Sequence, residues 1–324
     1  MTGRIKGLGS YLPKRIVTND DLEKIVETSD EWIQERTGIK ERHIADPLVE
    51  KPSMMAGEAA KKALEDAGID GSEVDLIVVS CTTPDLVFPS IACCVQEAVG
   101  ADGCACFDVN AACPGWITAY NTAQSFIESG NCRTALVVGS ECLSNFVDWN
   151  DRGTCILFGD GAGAAVLVAE DDAPSNKFIM HATYKKAECL HCENRMQPKR
   201  WDDEEFMKST YFQMAGKEVF RFAVTEVPKV IKELSVKYGF DLNDVDHFIL
   251  HQANARIIET IAKRLGQDIE KFPMELYYTG NTSTASIPML MDKMKREGKL
   301  VKGQKIVVSS FGAGLTWAAN YIEY

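Results

Sequence analysis

An α/β chain built from two similar halves is the fold class that the sequence predicts, and two observations carry it. Short apolar runs alternate with helix-period stretches along most of the 324 residues, as expected for strands covered by helices. A helix–turn–strand passage also recurs. Gly68-Ile69-Asp70-Gly71-Ser72-Glu73-Val74-Asp75-Leu76-Ile77 reads against Gly239-Phe240-Asp241-Leu242-Asn243-Asp244-Val245-Asp246-His247-Phe248, with Asp246 lying 171 residues after Asp75. The same spacing sets Asn110-Ala111-Ala112-Cys113 on Asn281-Thr282-Ser283-Thr284, and Val137-Val138-Gly139 on Val308-Ser309-Ser310. Three ordered matches point to two copies of one ancestral unit. The halves are read as residues 1–170 and 171–324, divided where the polar, least periodic stretch 170–211 begins.

The elements follow in order. Ala56, Ala59, Ala60, Ala63, Leu64 and Ala67 keep helical spacing, and Gly68 supplies a stop. Residues 75–80, 105–110, 135–139 and 164–169 read as buried strands, with a helix over 114–128. In the second half, helices are expected at 217–237 and 254–265 and strands at 248–251 and 305–310.

Composition narrows the function. Hydrophobic residues make up 45% and charged residues 25%, which excludes disordered and fibrous chains. No apolar run reaches the ~18 residues of a membrane helix, and Met1-Thr2-Gly3-Arg4-Ile5-Lys6 lacks the apolar stretch of a signal peptide. With eleven cysteines, the expectation is a reducing cytoplasm and no membrane. A net charge of −12 argues against nucleic acid.

Cys113 follows an expected strand and precedes Pro114-Gly115-Trp116, where proline suits the first turn of a helix. A thiol at a helix start is biased towards thiolate, the state of a nucleophile. The other ten cysteines read as structural thiols. His251 ends a second-half strand, and Asn281 occupies the repeat position of Asn110. Strand carboxyl ends are where α/β sheets place ligands, so Cys113, His251 and Asn281 form one candidate set. Phe158-Gly159-Asp160-Gly161-Ala162-Gly163 opens no helix and is read as tight packing, not a dinucleotide loop. Phe311-Gly312-Ala313-Gly314 offers backbone N–H groups to an oxyanion. Cys189-x-His191-Cys192 lacks zinc spacing and a second ligand pair, so no metal is expected.

Motifs along nearly the whole chain resemble the β-ketoacyl-acyl-carrier-protein synthase III family of the thiolase superfamily. They are Ser29-Asp30-Glu31-Trp32-Ile33 with Arg36-Thr37-Gly38-Ile39, Ala111-Ala112-Cys113 and Asp151-Arg152-Gly153-Thr154. The glycine-rich stretch from Phe158, Met214-Ala215-Gly216, His251-Gln252-Ala253-Asn254 and Gly280-Asn281-Thr282-Ser283 complete them. Asn281 in the third position, and no cysteine in 311–317, resemble the initiating subclass; elongating synthases carry a second histidine, and thiolases a second cysteine. Pro114 and Trp116 depart from the small residue and phenylalanine common after the cysteine, and 181–212 departs from the usual segment near the acyl pocket.

The resemblance implies a five-layered αβαβα thiolase-like fold, usually a homodimer, that condenses a short acyl-CoA with malonyl-acyl carrier protein without cofactor. It implies catalysis by Cys113, His251 and Asn281, with the backbone of Cys113 and Ala313 as oxyanion donors. Trp32, Arg36, Arg152 and Asn254 would hold CoA, and Phe88 and Phe311 would line the acyl pocket. Arg256, Lys263 and Arg264 share a face opposite Ile257, Ile258, Ile261, Ala262 and Leu265; with Arg221 they would dock the carrier. Lys185, Lys186, Arg195, Lys199 and Arg200 motivate an alternative, a specialised pathway whose donor carries a distal carboxylate or an aromatic group. A silent partner-binding subunit of the same fold is the third reading.

Overall fold

The computed structural model describes residues 1–193 and 211–324. Its strands are β1 (Thr2–Tyr11), β2 (Arg15–Thr18), β3 (Glu41–Ile44), β4 (Leu76–Ser80), β5 (Ala105–Val109), β6 (Thr134–Cys142), β7 (Asp160–Glu170), β8 (Lys177–Ala182), β9 (Leu190–His191), β10 (Gln213–Met214), β11 (His247–Leu250), β12 (Lys305–Gly312) and β13 (Thr316–Glu323). The α-helices are α1 (Asn19–Leu22), α2 (Asp30–Thr37), α3 (Pro52–Ala67), α4 (Ile91–Val99), α5 (Gly115–Glu128), α6 (Arg152–Cys155), α7 (Gly216–Tyr238), α8 (Ala255–Leu265), α9 (Leu276–Thr279) and α10 (Ser286–Arg296).

One sheet runs β1-β7-β6-β4-β5 and the other β8-β13-β12-β11, the same order in both halves. Period-two alternation divides each strand between two cores. In β4, Leu76 and Val78 join Trp116 and Ile117 of α5 and Leu290 of α10 in the middle of the molecule. Ile77 and Val79 face Ala59 and Ala63 of α3 and Val95 of α4 on the outside. In the second sheet, Val308 and Ile249 enter the middle core, while Val307 and Phe248 meet Val227 and Ile231 of α7 and Ile258 of α8. Helices therefore cover both outer faces and fill the space between the sheets. This is the five-layered αβαβα arrangement of a thiolase-like fold.

The repeat spacing survives in the elements, since β6 begins at Thr134 and β12 at Lys305. One element changes type: the stretch corresponding to β5 is the short helix α9, so the second sheet has four strands among the described residues. The glycine-rich stretch from Phe158 leads into β7 and serves close packing, as expected. A Cβ on Gly163 would lie 2.7 Å from Met289 N at α10. The antiparallel β1, β8 and β13 are absent from the strands expected above. In β1, Gly3, Gly7 and Gly9 dilute the apolar alternation.

Those glycines set the spacing of sheet and helix. A Cβ on Gly9 would come within 2.3 Å of Ala59 O in α3, and one on Gly7 within 2.1 Å of Ala63 O. Both neighbours are backbone, so relief requires moving α3. Gly9→Ala should lower stability by about 3 kcal/mol, the upper range for overpacking. Urea unfolding reads this as a lower midpoint at unchanged slope, and an unshifted midpoint would contradict the close contact.

Candidate active site

Three connections meet where the sheets face each other: the turn after β5, the residue after β11 and the segment after α9. Cys113 lies in the first, ahead of Pro114, which is the N-cap of α5 and makes no side-chain capping bond. Its sulfur receives a hydrogen bond from Ser283 Oγ at 3.3 Å. A Cβ on Gly312 would lie 2.9 Å from Cys113 N, so the turn that holds Ala313 rests on the cysteine backbone. Ala112 (φ 49°) and Ser283 (φ 50°) both adopt the left-handed conformation, rare for residues other than glycine. They are repeat partners, and the duplicated turn keeps its shape in both halves.

The expected bias of Cys113 towards thiolate is corrected by the structure. Burial pushes the thiol up to about 11; the Ser283 hydroxyl opposes the rise, and the nearby Glu141 carboxylate adds to it. Cys113 precedes the N-cap Pro114, and desolvation disfavours the anion there.

His251 is 2% exposed and is fixed by its backbone N–H on Ser309 O at 2.9 Å. Its Nδ1 lies 2.8 Å from Ser286 Oγ, which accepts the Gln252 N–H at 3.3 Å. The Ser286 proton is therefore assigned to Nδ1, which leaves the ring proton on Nε2 as a donor. Phe311 stands edge-on to the ring, centroids 5.6 Å apart. Burial pushes His251 down to about 3.

Asn281 is held by both of its neighbouring backbone groups. Its N–H donates to Leu157 O at 2.8 Å, and its carbonyl accepts from Gly159 N at 3.0 Å. Its Oδ1 accepts the Ser283 N–H at 2.8 Å, so Nδ2 is the group left to donate. Beneath this bridge lies Arg42, fully buried, which donates to Ile156 O at 2.7 Å and to Asn19 Oδ1 at 2.8 Å. Burial lowers its guanidinium to about 10. Arg42, Glu141, Ser283 and Ser286 were not singled out from the sequence. Only Ser283 had a usable signal there, as the repeat partner of Ala112.

The four candidate CoA residues come together. The guanidiniums of Arg36 and Arg152 lie 4.7 and 4.8 Å from the Trp32 ring centroid, and Asn254 Nδ2 donates to Arg36 O at 3.0 Å. The basic set on α8 is less uniform than its spacing suggests. Arg264 turns onto Val224 O of α7 at 2.7 Å, Arg256 leans over Phe220 at 6.0 Å, and Arg221 pairs with Glu218 at 3.4 Å. Lys263 is exposed. Arg256 and Arg264 find partners on α7, which spacing along one helix does not reveal. Phe88 is 84% exposed, unlike Phe311. Lys186 pairs with Glu218 at 3.0 Å; Lys185 is exposed, and Arg195, Lys199 and Arg200 lie outside the described residues.

Because His251 cannot hold a proton when folded, the unfolded chain binds one more below its ordinary value of about 6.5. Its contribution to stability is complete above that pH and declines as pH falls towards 3. Histidine NMR should show one ring that stays neutral from pH 8 to 4.5, absent in His251→Asn; titration of His251 near 6.5 would contradict its burial.

Comparison with known proteins identifies the family. Residues 107–186 match the family described as 3-Oxoacyl-[acyl-carrier-protein (ACP)] synthase III, and residues 236–324 match its C-terminal counterpart. The chain is 47% identical over 320 residues to β-ketoacyl-[acyl-carrier-protein] synthase III of Clostridium acetobutylicum, covering 99% of this chain and 98% of that one. The same enzyme of Xanthomonas campestris pv. campestris is 46% identical over 330 residues, at 99% and 98% coverage. The crystal structure of 3-oxoacyl-[acyl-carrier-protein] synthase III from Aquifex aeolicus VF5 superposes with a TM-score of 0.92 at 44% identity, covering 99% of this chain and all (100%) of that one. With its two halves, its Cys-His-Asn set and these full-length matches, the chain belongs to the β-ketoacyl-acyl-carrier-protein synthase III family of thiolase-fold acyltransferases.

Proposed function

We propose that Cys113 carries an acyl group through a two-stage condensation that primes fatty acid synthesis. In the first stage its sulfur attacks the thioester carbonyl of a short acyl-CoA; the new carbon–sulfur bond forms as the bond to CoA breaks. Malonyl-acyl carrier protein then loses CO₂, and the electron pair of the broken carbon–carbon bond becomes an enolate. The enolate carbon attacks the acyl-Cys113 carbonyl and expels the sulfur.

One observation carries this reading: His251 and Asn281 each have their acceptor atom occupied by serine, at 2.8 Å in both cases. Nε2–H and Nδ2–H remain as donors for the malonyl thioester oxygen as charge develops there. The backbone N–H groups of Cys113 and Ala313 serve the acyl carbonyl. Each such donor contributes about 3 kcal/mol. No step requires a redox cofactor or metal.

Trp32, Arg36, Arg152 and Asn254 are the CoA entrance, with Phe311 and Phe88 assigned to the acyl pocket. Carrier docking is assigned to Arg256, Lys263, Arg264 and Arg221, because a chain of charge −12 attracts an acidic partner only through a local patch. The exposed apolar side chains Leu48, Val49, Val87 and Phe88 support a homodimer. Eleven cysteines without a disulfide support a cytoplasmic setting.

Cys113→Ala should abolish labelling by radioactive acetyl-CoA and all condensation while the protein stays folded. Labelling at the wild-type level would overturn the assignment. Arg36→Ala should raise KM for acyl-CoA with little change in kcat, the pattern of lost uniform binding. A fall in kcat at constant KM would place the CoA entrance elsewhere.

A further inference from the structure

Two cysteines outside the active site meet sulfur to sulfur. Cys93 stands in the first turn of α4 and Cys106 on β5, with their sulfurs 3.5 Å apart. Helix-on-sheet packing makes the contact. Cys106 is level with Ile77 of β4 and shares its outer face, the one that α4 covers. Both cysteines are half-buried, whereas Cys81, Cys132, Cys142, Cys155 and Cys189 are buried.

The surroundings make the two sulfurs unequal. Ser90, the N-cap of α4, accepts the Cys93 N–H at 3.2 Å and donates its hydroxyl to the Cys93 sulfur at 3.3 Å. The shared contact is assigned as Cys106 S–H donating to Cys93, so the Cys93 sulfur accepts twice. Hydrogen bonds to the charged form and a place in a first helical turn both favour thiolate. The Asp108 carboxylate on β5 opposes them; it accepts the Ile91 N–H at 2.9 Å and the Ala92 N–H at 2.8 Å.

Titration agrees with that division. The bonds from Ser90 and Cys106 hold the Cys93 thiol below its ordinary value, against burial and Asp108. Burial, and then the bond to Cys93, push the Cys106 thiol up to about 11. The two thiols nearest in sequence differ from Cys93. Cys94 is pushed up by burial, and so is Cys104, whose sulfur lies 3.5 Å from Gln96 Nε2.

We propose that Cys93 and Cys106 form an oxidation site, where a hydroperoxide oxidises Cys93 and Cys106 closes a disulfide between α4 and β5. The Cys93 thiolate, its proton lost to solvent, attacks one oxygen of hydrogen peroxide. The O–O bond breaks, and the second oxygen leaves as hydroxide and takes a solvent proton to become water. Cys93 is then a sulfenic acid, oxidised by the two electrons that the peroxide has gained. The Cys106 sulfur attacks the Cys93 sulfur; the S–S bond forms, the S–O bond breaks, and the hydroxyl leaves as water with the Cys106 proton. Two thiols and one peroxide become one disulfide and two waters. From 3.5 Å the sulfurs reach bonding distance by closing about 1.5 Å, which side-chain rotation supplies. In a reducing compartment such a bond is usually transient and serves redox sensing or catalysis. Here it ties the start of α4 to the strand that leads into the Cys113 turn. The inference does not depend on the reaction assigned to Cys113.

The test treats the reduced full-length protein with excess hydrogen peroxide, caps remaining thiols with N-ethylmaleimide in denaturant, and digests without reduction. Mass spectrometry should find the Cys93 and Cys106 peptides mostly as one joined pair, which dithiothreitol separates again. Cys106→Ser should stop at the sulfenic acid, trapped by dimedone on Cys93. In Cys93→Ser, Cys106 should react roughly tenfold or more slowly than Cys93 does in the wild type, because the thiolate fraction sets the rate. The wild-type joined pair is read without any variant, so a variant that fails to fold leaves the test intact. The proposal is overturned if both wild-type peptides stay capped, if Cys93 joins Cys104 or a second chain, or if Cys106 reacts as fast without Cys93.

Discussion

The site depends on the paired backbone hydrogen bonds by which Asn281 is clamped between Leu157 and Gly159. That parallel bridge joins the segment ahead of β7, in the first half, to the segment ahead of α10, in the second. Arg42 locks it from below by binding the adjacent Ile156 carbonyl with a buried guanidinium. A Cβ on Gly159 would reach 2.2 Å from Thr279 O, so the two segments can meet only where this side chain is missing. From the bridge follow the position of Asn281, then Ser283, and through Ser283 the contact with Cys113. Unpairing it would leave two buried carbonyls and two N–H groups without partners, each costing about 1–3 kcal/mol.

Much of this was legible in the sequence because duplication writes the same pattern twice. The apolar runs and the spacing between Asp75 and Asp246 gave the strands of both sheets that flank the site. Cys113, His251 and Asn281 stood out because they fall at strand-to-helix connections, positions that topology brings to one place. The antiparallel β1, β8 and β13 escaped notice. β1 carries glycines where the alternation requires apolar side chains, and β8 is only half-buried along much of its length. The missing fifth strand of the second sheet was hidden as well, since nothing in Leu276-Tyr277-Tyr278-Thr279 opposes a strand locally. Tertiary packing decides it.

The supporting residues were illegible for a different reason. Arg42 and Glu141 are charged side chains in strands, and a pattern argument assigns such residues to the surface. Their burial is set by partners 114 and 59 residues distant in the chain, namely the Ile156 carbonyl and Thr82. The basic face of α8 shows the converse limit. The helical period placed Arg256, Lys263 and Arg264 together, but α7 lies alongside and draws two of the three towards itself.

Enclosure gives the site its electrostatic character. Burial pushes the Cys113 thiol and the Glu141 carboxylate up and the His251 imidazole down, each towards its neutral form. With Cys113 and His251 both neutral at rest, an apolar acyl chain can approach the sulfur without stripping either of them of a counter-charge. The same enclosure makes a developing anion costly unless donors already face it, and those donors must be neutral dipoles held in place. Ser286 on His251 and the Ser283 backbone on Asn281 do that holding, by occupying the one acceptor that each side chain could otherwise present. A carbanion mechanism suits such a pocket: the charge exists only between loss of CO₂ and formation of the new carbon–carbon bond. In the proposed condensation, N–H groups already held in place would meet it throughout that interval without reorganising.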